Sequence, residues 1–295
     1  MQIMKPKRLD KHFRITDGTK FRLKDFDPSE TLGLNSKAHS QQILEHGILR
    51  LAKLQEKLFA QDRWAILVIL QAMDAAGKDS TIKHVMSGVN PLGCQVTSFK
   101  APTEEDLNHD FLWRTTRLLP ERGQIGIFNR SYYEEVLIVR VQPEVLAREK
   151  LAKSLISGNL WRDRFEDINA HERYLSRNGI VILKFFLNIS KEEQRKRFLD
   201  RLEMPEKNWK FSEQDVLKRK HWKEYMRAYE DMIRNTSTEN APWYVVPANH
   251  KWFARVAVAE AIITALEQLN LSYPKVEREK RKDLKKAEEA LRHEK

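Results

Sequence analysis

WAILVILQAMDAAGKDST, residues 64–81, is the stretch that decides the fold. An apolar, β-forming run breaks into a turn of small residues and ends on Gly77-Lys78. A buried strand, a tight loop and a lysine at a helix start together can grip phosphate. The first turn of a helix offers unpaired backbone N–H groups and the positive end of the helix dipole. The match to the phosphate-loop pattern G-x-x-x-x-G-K-[ST] is incomplete. Ala72 stands where the first glycine belongs, Asp79 replaces the hydroxyl residue, and Asp74 adds a carboxylate inside the loop. The competing reading is a buried strand followed by an ordinary βα turn.

Flanking periodicity places the loop in its fold. Ile43, Leu44, Ile48, Leu51, Leu54 and Leu58 recur at helical spacing and predict a helix over about 41–60. Beyond the loop, Ile82, Val85 and Met86 continue a helix, and Val96–Phe99 reads as a short strand. Pro102-Thr103 with Asp106 is close to a capping box and opens a helix expected to run to about Leu119, before Pro120. Gly123–Phe128 is the next strand, with Gly126 admitting a close neighbour. A helix over about 160–177, a long apolar strand of the fully buried type at Gly179–Leu187 and a capping box at Ser190 and Glu193 follow. One helix is expected from about Ser212 to Asn235, its Trp222, Tyr225, Tyr229 and Met232 forming a core stripe. Trp243–Val246 is the last strand and 250–269 the last core helix.

Strands alternating with helices imply right-handed crossovers, a parallel sheet and helices on both faces. The expected fold class is α/β: a phosphate-loop kinase-like three-layer α/β/α arrangement with a five-stranded parallel sheet and a helical lid. Residues 1–40 read as a basic arm, 41–270 as the core domain with a lid at about 190–222, and 271–295 as a charged tail. Ligands bind beyond the carboxyl ends of strands in such sheets, and loop 71–79 lies at one. That placement favours the phosphate-loop reading.

Composition narrows the partners. Lys and Arg exceed Asp and Glu by 53 to 42, a formal charge of +11 over 295 residues. The excess suits a polyanion: nucleic acid, a membrane surface or a highly charged phosphate compound. No apolar run approaches the roughly 20 residues that span a bilayer. The N-terminus has no apolar stretch behind its basic residues and does not read as a secretory signal. A single cysteine, Cys94, excludes an internal disulfide. It reads as a small, partly buried side chain, and the chain as a reduced, cytoplasmic protein.

Phosphoryl chemistry needs donors for the phosphates, a metal held by carboxylates and cations that neutralise charge in transfer. Ala75, Ala76 and Gly77 supply backbone donors, and Lys78 a cation. Asp74 is the candidate metal ligand, since hard divalent cations take oxygen. Asp79 is either a phosphate-site residue or a helix cap, and Ser80 and Thr81 either hydroxyl ligands or caps. At IFNRSYYEE, 127–135, a strand end delivers Asn129 and Arg130 to the same rim, with Glu134 or Glu135 adding charge one turn on. Arg130 is either a phosphate clamp, for which its planar fork suits, or a surface partner of Glu134. Arg195, Lys196, Arg197 and Arg201 form a basic helix that is either a lid or a solvated face, and Lys218, Arg219 and Lys220 add a second cluster.

QAMDAAGKDSTIKHVMSGVNP, VTSFKAPT, HDFLWR, GIFNRSYYEEVLIVRV, WKFSEQD and NTSTENAPWYVVPANHKW together resemble the family-2 polyphosphate kinases, from about residue 20 to 272. The Ala-Gly-Lys-Asp loop ending, a defect by the general pattern, fits that family. The resemblance implies transfer of the terminal phosphoryl of inorganic polyphosphate to a nucleotide with Mg2+. By matching positions it implies metal at Asp74, transferring phosphate at Lys78 and Arg130, and polyphosphate along Arg195, Arg197 and Arg219. The N-R-S-x-Y-E form resembles the subgroup acting on both AMP and ADP, and implicates Asn129 and Glu134 in acceptor choice. Its implied partners are polyphosphate, AMP, ADP and ATP in a homo-oligomer, with no nucleic acid and no membrane. An ATP-dependent nucleoside monophosphate kinase and a non-catalytic nucleic-acid binder are the alternatives.

Overall fold

The computed structural model describes residues 9–34, 36–209, 211 and 213–294. The first eight residues of the arm, with the start of the basic N-terminus, lie outside them. So do Lys210 and Ser212 in the lid region and Lys295 of the tail.

Six strands form one sheet: β1 (Arg14–Ile15), β2 (Ala65–Gln71), β3 (Cys94–Ser98), β4 (Ile125–Asn129), β5 (Ile180–Asn188) and β6 (Trp243–Pro247). Their order is β1-β6-β5-β2-β4-β3. The five strands expected from the sequence are all parallel to one another. The sixth, β1, is two residues of the arm paired antiparallel with β6, Arg14 opposite Tyr244. Such a short pairing leaves no periodic signal in the sequence. Phe13, Phe21, Leu23 and Leu34 bury the rest of the arm against the core.

Among the described residues, helices of eight or more residues are α1 (Lys37–Gln61), α2 (Lys78–Val85), α3 (Leu160–Arg177), α4 (Lys191–Glu203), α5 (Glu213–Lys220), α6 (Trp222–Thr236), α7 (Lys251–Gln268) and α8 (Arg278–Arg292). One layer holds α1, α2 and α7; α7 is apolar around most of its circumference because it lies between the sheet and α1. The other holds α3 and α6. β2 is buried along its whole length. After β2 the chain travels out to β3 and back to β4, then crosses to β5 on the other side of β2. The reversal opens a crevice above the end of β2.

Three local expectations need correction. The helix read from Thr103 to Leu119 is two short ones, Glu104–Leu107 and Trp113–Thr116. Its capping box is present, but Asp110 accepts from the Leu112 N–H at 2.9 Å and restarts the chain in a new direction. The helix expected to run unbroken to Asn235 is interrupted at His221, so that α5 leans over the phosphate loop while Tyr225, Tyr229 and Met232 of α6 stay in the core. At Ser190 the hydroxyl accepts from the Glu193 N–H at 3.1 Å, but the Glu193 carboxylate turns to Arg197 instead of closing the box. Gly126 admits the ring of Pro120; a Cβ there would lie 2.9 Å from it.

Candidate active site

Loop 72–77 leaves β2 and enters α2 through two left-handed residues, Ala75 (φ 64°) and Gly77 (φ 109°). Gly77 has room for a Cβ, so its φ alone asks for glycine. Arg197 of α4, 4% exposed, fixes the loop from behind. Its Nη1 donates to the carbonyls of Ala75 (3.1 Å) and Ala76 (2.8 Å), and Nη2 to those of Ala248 (2.6 Å) and Asn249 (2.9 Å). Nε donates to Glu193 at 2.8 Å. These acceptors occupy every N–H of a guanidinium. A planar trans peptide places N–H and C=O on opposite edges. With the Ala76 carbonyl turned onto Arg197, the Gly77 N–H faces away from it, alongside the unpaired first N–H groups of α2. Arg197 therefore orients the loop, which revises the direct phosphate contact expected of it.

Lys78 is 9% exposed, and its Nζ donates to the Ala72 carbonyl at 2.8 Å. Burial, and next the Arg130 charge, bring its pKa down to about 8 against the pull of Asp74, Glu134 and Asp79. Asp74 receives Arg130 Nη2 at 2.7 Å and Lys218 Nζ at 3.3 Å. Burial opposes its ionisation, but Arg130, Lys78 and Lys218 outweigh it and hold the carboxyl at about 2. Gln194 of α4 donates to the Asp74 carbonyl at 2.8 Å.

Arg130 follows the end of β4 with φ 67°, an uncommon conformation for a long side chain. Its N–H still reaches the Leu70 carbonyl at 3.0 Å, and its side chain lies over the end of β2 between Asp74 and Glu134, the latter at 3.0 Å. The Glu134 carboxylate above all, and Asp74 as well, raise its pKa, so it is a permanent cation. Arg130 thus pairs with Glu134, as one of its two readings had it, and stands beside the loop through Asp74. Asn129 donates to Asp79 at 2.7 Å and ties the end of β4 to the start of α2; Asp79 makes no side-chain cap. Ser80 accepts from Arg255 of α7 at 2.8 Å. Arg219 donates to the Lys191 carbonyl (3.0 Å) and Gln194 (2.7 Å), close enough to exposed Arg195 to feel its charge.

Beside Arg130 and Glu134 opens a cavity of about 590 Å³, with Phe99, Phe111, Arg114, Arg164 and Lys218 among its walls. Sequence reasoning assigned no role to the last four or to Arg255. Lys218 was visible as a member of a basic cluster, whereas Arg114 and Arg164 carry no local signal. Among the described residues no three His, Cys, Asp or Glu side chains converge as a metal cage. Cys94 is half-buried, and burial lifts its thiol to about 11.

A parallel sheet with a phosphate loop at its chain reversal and cationic helices above defines a phosphate-loop kinase-like protein. The chain belongs to the polyphosphate kinase 2 family, whose sequence model matches residues 34–274. It is 50% identical over 275 residues to the ADP-polyphosphate phosphotransferase of Rhodopseudomonas palustris, covering 93% of this chain and 95% of that one. It is 46% identical over 268 residues to the AMP/ADP-polyphosphate phosphotransferase of Meiothermus ruber, covering 90% and 96%. The crystal structure of polyphosphate kinase 2 from Arthrobacter aurescens TC1 superposes with a TM-score of 0.84 at 43% identity, covering 91% of this chain and 92% of that chain.

Proposed function

We propose that this chain transfers the terminal phosphoryl group of inorganic polyphosphate to AMP or ADP, forming ADP or ATP. The observation that carries this reading is the convergence of Lys78, Arg130 and Asp74 at the end of β2, between a nucleotide-sized cavity and the cationic lid. The acceptor occupies the cavity with its terminal phosphate towards Arg130. Polyphosphate approaches under α4 and α5, along Arg195, Arg219 and Lys218. An acceptor phosphate oxygen attacks the terminal phosphorus of polyphosphate, and the bond to the bridging oxygen breaks towards the shortened chain. Charge spreads over the transferring oxygens, where Lys78, Arg130 and the N–H groups of the loop stabilise it. Asp74 aims Arg130 and Lys218, and Glu134 steadies Arg130 from the acceptor side.

The donor set fits Mg2+ in the form such ions take beside phosphates, with one or two carboxylates and the rest phosphate and water oxygens. Ionised Asp74 would hold it, and the ion would neutralise phosphate charge. The basic surface gives the chain electrostatic attraction for a polyanion that weakens as salt rises. Purified protein with Mg2+, AMP or ADP, and polyphosphate without added ATP should form the more phosphorylated nucleotide. Phosphorylation only when ATP is supplied would replace this reading with an ATP-dependent nucleoside monophosphate kinase.

A further inference from the structure

Phe99, Phe111 and His109 are the aromatic side chains that line the cavity beside Arg130. Two of them have a cation over their rings. Arg114 lies 5.6 Å from the Phe99 centroid and Arg164 5.2 Å from that of Phe111, and both arginines belong to the cavity wall themselves. Phe99 is also buried, edge-on to Phe128 at 4.9 Å. His109 differs: it is exposed, and the ring that covers it, Trp113, stands outside the wall.

The His109 imidazole lies flat on the Trp113 indole, with centroids 3.8 Å apart and planes 12° from parallel. Arg117 holds its guanidinium 4.4 Å from the same indole. One indole face has no room for both at such distances, so His109 and Arg117 take opposite faces. The order is therefore Arg117, Trp113, His109, cavity, because His109 lines the cavity and the other two do not. With one imidazole face covered by indole, the exposure of His109 belongs to its other face and its edge. The turn at Asp110 separates the two rings in the chain. There the Trp113 N–H donates to the Asp110 carbonyl at 3.1 Å, and the backbone folds back so that the rings meet in parallel.

We propose that His109 is the platform on which the acceptor's nucleobase stacks, adding one ring to the column that Arg117 and Trp113 begin. The inference rests on the reading that the cavity takes the acceptor nucleotide. Histidine is among the side chains on which unpaired bases stack. Trp113 and Arg117 behind it hold the imidazole plane in place before the base arrives, so little ordering remains to be done on binding. Stacking carries no hydrogen-bond code and every base has a π-face, so the platform accepts any base. Bicyclic purines cover more of it than pyrimidines do. His109 therefore gives the site a purine preference without separating adenine from guanine, and the groups that act in transfer, Lys78 and Arg130, are left as they are.

The test measures KM and kcat for ADP at saturating polyphosphate, with CDP as a competitor of ADP, in the unmodified protein, His109→Ala and His109→Phe. His109→Ala should raise the KM for ADP about tenfold, and the inhibition constant of CDP by a smaller factor. Its kcat should stay within about twofold, as for a contact made equally in ground and transition states. His109→Phe keeps a ring without the imidazole nitrogens and should bring the KM back to within about threefold of the unmodified value. Should the alanine variant fold poorly, His109→Gln, which also lacks a ring, gives the same readout. An unchanged KM in His109→Ala overturns the platform. So does a phenylalanine variant as weak as the alanine one, or a rise equal for ADP and CDP. Ala101→Trp, which fills the cavity from another exposed position of its wall, separates this inference from the reading beneath it. A KM raised by Ala101→Trp but not by His109→Ala removes the platform alone, whereas a KM that neither changes removes the acceptor from the cavity as well.

Discussion

Two buried lysines, Lys184 in the sheet and Lys78 at the start of α2, have surroundings that differ in what they leave undone. Lys184, in the middle of β5, is fully buried and donates to Glu172 (2.6 Å), the Tyr133 hydroxyl (2.9 Å) and the Thr236 carbonyl (2.7 Å). Those three bonds satisfy an ammonium completely. Glu172, equally buried, also receives the hydroxyls of Tyr132 (2.8 Å) and Tyr133 (2.7 Å). The network holds the short helix Tyr132–Val136, which carries Glu134 and Glu135, onto α3 and β5. Lys78, by contrast, makes one hydrogen bond among the described residues and faces three carboxylates and Arg130. A saturated buried cation builds a scaffold, whereas one with donors to spare at a strand end is ready for an anion. The arginines repeat the contrast: Arg197 spends every donor on backbone and Glu193, while Arg130 is shared between two carboxylates at an accessible rim.

Several substitutions can break that comparison. Lys184→Ala leaves Glu172 charged and unpaired in the core and should cost about 3–5 kcal/mol of stability, read from denaturant unfolding. A small loss would show that Tyr132 and Tyr133 suffice to hold Glu172. Lys78→Ala and Arg130→Ala should each lose about 10²–10³-fold in kcat, about 2.7–4 kcal/mol of transition-state stabilisation, with the unfolding midpoint retained. Arg197→Lys keeps the charge but not the planar fork; kcat should fall about tenfold as the loop loosens, with little change in polyphosphate KM. A larger change in KM than in kcat would instead restore direct phosphate binding to Arg197. The smallest effect is expected of Glu134→Ala, a shift of a few-fold in the AMP-to-ADP rate ratio by loss of one partner of Arg130. An unchanged ratio at reduced overall rate would remove Glu134 from acceptor choice. The low pKa of Lys78 adds a pH test. The ammonium is present below about 8 and lost above it, so kcat/KM for polyphosphate should fall as pH rises through that value.

What the sequence revealed follows how locally each feature is encoded. β2, its loop and the start of α2 are contiguous, so the phosphate loop was legible even with Ala72 and Asp79 out of pattern. Asn129 and Arg130 were legible because they end an apolar strand. Contacts made across long stretches of chain were not. Arg197 looked like one cation in a basic run, and only the fold brings it to Ala248 and Asn249. Lys184 interrupts an apolar strand without any nearby acid to explain it; Glu172 reaches it from α3 across the layer boundary. Glu149 and Arg164 flank a segment with no strong periodicity, and the tie of Arg164 to Glu149 and to the Glu135 carbonyl exists only in three dimensions. Lys218 was noticed in a cluster, but its reach to Asp74 depends on the break at His221 that the continuous helical pattern concealed.

The central claim is that anion chemistry belongs to the lysine with donors to spare. The most direct test measures polyphosphate-driven phosphorylation of AMP and ADP beside denaturant unfolding, for Lys78→Ala and Lys184→Ala in parallel. The expected result is a separation: Lys78→Ala folds as the unmodified protein does and transfers almost nothing. Lys184→Ala is destabilised, and its folded fraction still transfers. Near-normal turnover in Lys78→Ala would contradict the claim.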